Sequence, residues 1–460
     1  MSGTDVLDRS RPPAPGPLRP FHFPDIRRRT LANGLEVIVS ENHALPVATL
    51  DLVLPSGGLS ETRERGGLAA LTAGLLESGA GGRDATAIAE AVDRLGLALE
   101  TGISWDTTLI GFTALTSRLE AGMGIMADLV MRPTFPRDEV DRIRDERLAA
   151  LLQRRGDPSS LADELITFYT VPPGHPFGRR LQGPQETLST LTRDDVVAFH
   201  DAHYRPQGAW LCAAGDVTLD GVSALAERLF AGWSGAPPAP ASPETPVRFG
   251  ETTIILADRP GSVQSEVRLS HVGIARTAED YFPVTVMNAI LGGLFSSRLN
   301  LNLRERLGFT YGASSTMAMR RLPGTFTISS AIQSEGTAQS VGEMLREMRQ
   351  MQDELVPDAE LADARSYMAG TFPLALQTTD GLAGKLSTLA GYGLPDDYYD
   401  TYPQRLLAVT AEEVREAARR RLMPDRAGVV VVGDAQQLRG PLEALGVGPV
   451  QVIDPADVLR

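Results

Sequence analysis

The chain has 460 residues, 42% of them hydrophobic and 22% charged, which is enough apolar material for two or more domain-sized cores and excludes a disordered or fibrous polymer. Forty-four Lys and Arg against 58 Asp and Glu leave a formal charge of −14, so a nucleic-acid backbone would meet net repulsion. A single cysteine, Cys212, rules out an intrachain disulfide and any cysteine-based zinc ribbon.

The first twenty residues are rich in Pro and Arg and lack an apolar core segment, so residues 1–20 read as a disordered arm and not as a secretory signal. No run approaches the roughly 20 apolar residues that span a bilayer. The expectation is a cytoplasmic protein with no membrane partner. Nearly all of its basic residues are arginine, Lys385 being the one lysine, a bias that carries no site information.

Along the chain the same order of signals occurs twice. Residues 35–39 (LEVIV) and 253–256 (TIIL) read as strands; 48–54 (ATLDLVL) and 264–269 (QSEVRL) alternate as strands do. Each half closes on an apolar strand ending in Gly-Asp, 210–216 (WLCAAGD) and 428–434 (GVVVVGD). Val37 and Ile254 lie 217 positions apart and Asp216 and Asp434 lie 218 apart. A spacing held to one residue over that distance predicts two copies of one domain. Between them, 235–246 (GAPPAPASPETP) is a Pro-rich linker. The predicted organisation is an arm (1–20), a first domain (21–234), a linker (235–246) and a second domain (247–460).

Helical periodicity falls at 85–95, 137–154, 337–354 and 411–422, with Asp194 and Thr410 as expected N-caps and Glu413 completing a capping box after Thr410. Helices alternating with strand pairs make each copy α+β.

Self-contained catalytic motifs are missing. None of the six histidines forms an i, i+4 pair; His200 and His203 are three apart, a spacing that reads better as a helix end than as a metal site. His175, in a Pro/Gly loop, reads as structural. Walker A, G-x-S-x-G and G-x-G-x-x-G do not occur. The glycines at 79–82 (GAGG) read as a turn, and Cys212, inside an apolar strand, as a buried inert thiol.

Several stretches together resemble the peptidase M16 family (pitrilysin, insulinase, mitochondrial processing peptidase). They are 30–39 (TLANGLEVIV), 54–68 (LPSGGLSETRERGGL), 183–191, Tyr204-Arg205-Pro206, Gly215-Asp216-Val217 and, most specifically, 292–311 (GGLFSSRLNLNLRERLGFTY). The resemblance runs from Phe21 to Asp434. It implies two tandem homologous domains, each an antiparallel sheet packed with helices, forming half of a clam-shell chamber.

In active members a helix after the Gly-Leu carries H-x-x-E-H, two zinc-binding His flanking a general-base Glu, and a further Glu some seventy residues on completes the site. Here Ala70, Ala73 and Gly74 stand at those three positions, and the downstream position falls at 150–153, without a carboxylate; Glu146, a turn away, reads as a solvated helix residue. Ala and Gly offer no lone pairs, so no metal site and no zinc peptidase activity are expected of this chain alone.

The family's second element is an Arg and a Tyr, seven residues apart, that reach the substrate carbonyl. Arg304 and Tyr311 match it, and their donors suit an oxyanion. Two other readings stand beside that one: Arg304 paired on the surface with Glu305 and Tyr311 filling a core, or Arg306 mistaken for Arg304.

The resemblance then implies a non-catalytic subunit of a heterodimeric zinc metalloendopeptidase, with no cofactor of its own. Its partner would be a zinc-bearing M16 subunit with H-x-x-E-H, and its substrate a peptide or small unfolded protein. A structural or assembly subunit like the respiratory-complex core proteins is the alternative, and a peptide-binding homodimer a third.

Overall fold

Strand-forming segments rich in Val, Ile, Leu and Ala assemble into two six-stranded sheets in a computed structural model that describes residues 16, 21–172, 174–239 and 249–458. Nearly all of the predicted arm, and much of the linker, lie outside the described residues.

The first half contributes β1 (Arg27–Thr30), β2 (Glu36–Glu41) and β3 (Val47–Leu54), a two-residue hairpin of β4 (Gly79–Ala80) and β5 (Arg83–Asp84), then β6 (Ala98–Ile103), β7 (Thr108–Leu115) and β8 (Trp210–Gly215). The second contributes β9 (Thr253–Asp258), β10 (Gln264–Val272), β11 (Ala313–Ala318), β12 (Thr325–Gln333), β13 (Gly428–Gly433) and β14 (Val450–Ile453). The sheet orders are β1-β2-β8-β3-β7-β6 and β11-β12-β10-β13-β9-β14. Reading the second from its far end pairs β2 with β9, β8 with β13, β3 with β10, β7 with β12 and β6 with β11. The duplication seen in the sequence is therefore a duplication of topology. Only the edge strands beyond β2 and β9 differ: β1 is an antiparallel neighbour preceding β2, whereas β14 is a parallel one from the end of the chain.

The sheets are mixed, not purely antiparallel as expected. β8 slots between β2 and β3, and β13 between β9 and β10, parallel to β2 or β9 and antiparallel to β3 or β10. Long helical connections lead from β7 into β8 and from β12 into β13, so no hairpin dictates their direction.

Central strands are covered on both faces and show little burial alternation; β3 is buried at seven of eight positions and β13 throughout. One face of each sheet packs on helices of its own half. The other face is covered by a helix from the opposite half. Helix Pro158–Thr170 lays Leu161, Leu165 and Ile166 on Ile255, Val430 and Val432 of the second sheet. Helix Thr379–Tyr392 lays Leu382, Leu386 and Leu389 in a cluster with Ile38, Cys212 and Ala214 of the first. Both start on side-chain caps, Asp157 accepting from Ser160 N at 2.8 Å and Thr378 from Gly381 N at 3.0 Å. The segment before β1 also crosses over: Phe23 stacks on Tyr399 at 5.2 Å and its N–H donates to Asp400.

Among the expected helices, Ala85–Leu95 forms as read, and Thr410 with Glu413 makes the predicted capping box of Ala411–Arg421. The Asp194 cap is corrected. The helix is Arg193–His203 and its N-cap is Thr192, which exchanges hydrogen bonds with Asp195 in a capping box. Both residue types cap well, and the reciprocal pair three apart prevails over a lone Asp. Residues 79–82 form the expected turn, linking β4 to β5 with Gly81 and Gly82 at positive φ. No helix among the described residues is long and apolar enough to cross a membrane.

Candidate functional site

Helix Leu68–Gly74 occupies the position expected of a zinc-binding helix. Its first turn is anchored by Glu61, whose carboxylate accepts from Gly67 N at 2.9 Å and Ala69 N at 2.7 Å and pairs with Arg179 at 2.5 Å. Two left-handed glycines, Gly67 and Gly183, let the chain entering the helix approach residues 182–183 so closely that a Cβ on either would strike backbone. The scaffold that would aim side chains from this helix is thus intact.

The side chains are not there. Ala70 and Ala73 are buried and Gly74 is exposed. In their place stands Arg147, from helix Arg137–Gly156. Its Nη2 donates to Ala70 O at 2.9 Å, and any side chain at Gly74 would collide with that same Nη2. Nη1 is buried with no hydrogen-bond partner among the described residues, and burial holds the guanidinium below its usual pKa. A cation wedged against the helix would repel a divalent metal ion.

The donor set fails as well. Positions 150–153 are Ala, Leu, Leu and Gln, and Glu146 points to solvent, bound to Arg142 at 2.6 Å. No group of three His, Cys, Asp or Glu among the described residues could hold a metal. His200 is a buried core histidine bonded to Val130 O at 2.8 Å. The residues present do not fit zinc.

Arg304 and Tyr311 sit in the second half, where wide helical turns over Asn300–Arg306 lead into edge strand β11. Arg306 is committed to structure: its guanidinium bonds Asn302 Oδ1 at 3.1 Å and Glu343 at 3.2 Å, while Asn302 Nδ2 donates to Glu343 and Glu347 at 2.7 Å each. Arg304 is not so held. It lies over the exposed Phe295 ring at 4.5 Å and makes a loose 3.5 Å contact with Glu305. Tyr311 is 93% exposed, which excludes a core-filling role. Its neighbours pin the loop: Thr310 Oγ1 accepts from Gly312 N at 3.0 Å, and Ser330 Oγ donates to Thr310 at 3.0 Å. Among the described residues, neither Arg304 nor Tyr311 makes a hydrogen bond or ion pair with helix Leu68–Gly74.

Sequence reasoning missed Arg147. It lies on a helix crowded with arginines and acids, where charge reads as solvent-facing, and only the missing side chain at Gly74 makes room for it.

The comparisons with known proteins agree with the architecture. The family model described as Insulinase (Peptidase family M16) matches residues 36–161, and that described as Peptidase M16 inactive domain matches 190–368. An uncharacterized zinc protease of Mycobacterium tuberculosis is 27% identical over 414 residues, 88% of this chain and 93% of the relative. One from Streptomyces coelicolor is 25% identical, covering 86% of each. A crystal structure of a peptidase M16 inactive domain from Pseudomonas fluorescens superposes with a TM-score of 0.82 at 26% identity, over 89% of this chain and 98% of that one. A protease from Helicobacter pylori, 19% identical, has the same fold at a TM-score of 0.81, over 90% of this chain and all of the other. With its duplicated mixed sheets, its ligand-free helix at the zinc position and matches in both halves, the chain belongs to the peptidase M16 family as a member without the zinc-binding residues.

Proposed function

We propose that this protein is the non-catalytic subunit of a two-chain M16 metalloendopeptidase, in which a partner bearing H-x-x-E-H holds the zinc and the general base. This chain supplies Arg304 and Tyr311 to the substrate carbonyl and one wall of the chamber. The substrate is an unfolded peptide or small protein, docked as an added strand on a sheet edge of the partner.

One contrast carries the reading. The helix that would hold zinc is filled by Arg147, whereas Tyr311 stands exposed and Arg304, partly buried, is held only by the Phe295 ring and a loose contact with Glu305. An arginine so loosely held beside an exposed phenol is suited to an external carbonyl, where charge develops in the transition state.

Reconstitution tests it. This chain is mixed with an M16 chain that carries H-x-x-E-H, and peptide cleavage is followed. Arg304→Ala and Tyr311→Phe should each lower kcat/KM by roughly tenfold or more. Unchanged turnover in both variants would defeat the assignment and favour a structural role for the chain. Zinc-dependent cleavage by this chain alone would defeat the subunit reading itself.

A further inference from the structure

The two halves also meet where their open-edge strands end. Loop 104–107, after β6, faces loop 319–323, after β11, and Arg321 N donates to Asp106 Oδ2 at 3.0 Å. Beside this junction is a cavity of about 240 Å³, walled by Trp105, Phe177 and the guanidinium-bearing Arg154, Arg179, Arg180 and Arg320. The one carboxylate among its described lining residues is Asp163.

The charges do not balance across this wall. Arg179 is matched by Glu61 at 2.5 Å, and Arg180 lies 3.5 Å from Glu164. Asp163 is already committed to Arg268 at 2.6 Å. Arg320 and Arg154 have no ion pair with any described carboxylate. Arg320 is held from behind by rings, 4.3 Å over Phe177 and 5.4 Å over Trp105. Burial, opposed by the more distant Asp106 charge, brings its pKa down to about 10, so it remains a cation at neutral pH.

A half-buried guanidinium with no carboxylate in direct contact is costly even with Asp106 acting from farther away, and an entering anion would offset that cost. The fork of an arginine fits a carboxylate through two parallel hydrogen bonds. The mixed wall favours a carboxylate over a phosphate: Trp105, Phe177, Ile166 and Leu181 suit a short carbon stem behind the charged head. Thr325 adds a hydroxyl donor.

We propose that this cavity is a carboxylate-binding site with Arg320 as its principal donor, taking the C-terminal carboxylate or an acidic side chain of a peptide. That the ligand is a peptide rests on the proposed function; the preference for a carboxylate rests on the cavity alone.

The test uses the full chain without any partner, so it stands apart from the proteolysis experiment. Tryptophan fluorescence, to which Trp105 in the cavity wall contributes, and calorimetry follow titration with three probes: acetyl-tetra-alanine with a free carboxylate, the same peptide as an amide, and an amidated acetyl-Ala-Glu-Ala-Ala. Binding of the first alone identifies the chain terminus as the source, and binding of the third identifies a side chain. The plain amide should bind at least tenfold more weakly than whichever probe succeeds. Arg320→Gln should weaken that probe by tenfold or more. Should Arg320→Gln fail to fold by circular dichroism, Arg154→Gln, on the rim, is expected to weaken binding severalfold. Equal affinity for acid and amide, absence of binding by all three at 10 mM, or full affinity in the folded substituted protein would overturn the proposal.

Discussion

The two crossing helices perform the same mechanical task with opposite electrostatics. Asp51 in β3 and Arg268 in β10 occupy matching positions, each facing the helix that arrives from the other half. Arg268 meets a full set of partners: Asp163 at 2.6 Å and Ser159 Oγ at 2.8 Å from the helix, and Glu266 at 2.9 Å from its own strand. Asp51 meets one hydroxyl, Ser387 Oγ at 3.1 Å, while Thr49 shares hydrogen bonds with Thr379 at 2.8 Å and Thr113 at 2.7 Å. Duplication has kept the topology and the apolar contacts. The buried polar position has diverged freely, because each copy needs only to satisfy its own group, and one copy does so better than the other.

The most severe way to break the comparison is to separate the halves. Each sheet depends for one face on a helix supplied by the other, so neither 1–240 nor 241–460 should fold alone, and the intact chain should unfold in a single transition. Circular dichroism and tryptophan fluorescence of the separate halves, then of an equimolar mixture, should show structure only in the mixture. Two well-separated transitions in the intact chain would contradict this.

A gentler cut is Arg268→Leu. It strips a buried cation from its partners and leaves Asp163, half exposed, free to be hydrated. The loss should fall at the low end for a broken buried pair, about 3 kcal/mol, read from urea denaturation at pH 7. A variant as stable as the parent would show that the ion pair contributes no more than a hydrophobic replacement.

The repeat itself was legible because strand order and the Gly-Asp ends survive in the residues. Capping and turn signals, such as Thr410 with Glu413 and the glycines at 79–82, act over a few residues and were legible for that reason. Apolar periodicity at 158–170 or 379–392 says only that one face is buried, not in which sheet, so the exchange of helices between halves could not be read. That Arg306 is tied to Asn302 and Glu343 while Arg304 lies outside that network depends on a helix farther along the chain and was not legible. Arg147 and the cavity beside Arg320 depend on loops and helices distant in sequence. The absence of zinc ligands, by contrast, was plain at Ala70, Ala73 and Gly74, since a missing lone pair needs no geometry.

The effect that vanishes in mild acid reverses sign. Burial pushes the Asp51 carboxyl up to about 7, with the charges of Asp380 and Glu100 adding to the shift and the Ser387 hydrogen bond opposing it. Unfolded, the same group releases its proton near pH 4. Between those values the folded state binds a proton that the unfolded chain has lost, so stability falls as pH rises from about 4 to 7. Asp51→Asn keeps the shape and a hydrogen-bond partner for Ser387 while removing the ionisation. The variant should gain up to about 4 kcal/mol at pH 8 and almost nothing near pH 4, measured as the difference in urea midpoints across that range. Arg268, already neutralised by its neighbours, supplies the control: Arg268→Leu should lose stability at pH 6 and pH 8 alike. If Asp51→Asn instead destabilises the chain at pH 8, the carboxylate is a satisfied anion in the folded state, and the two crossing-helix interfaces are electrostatically alike after all.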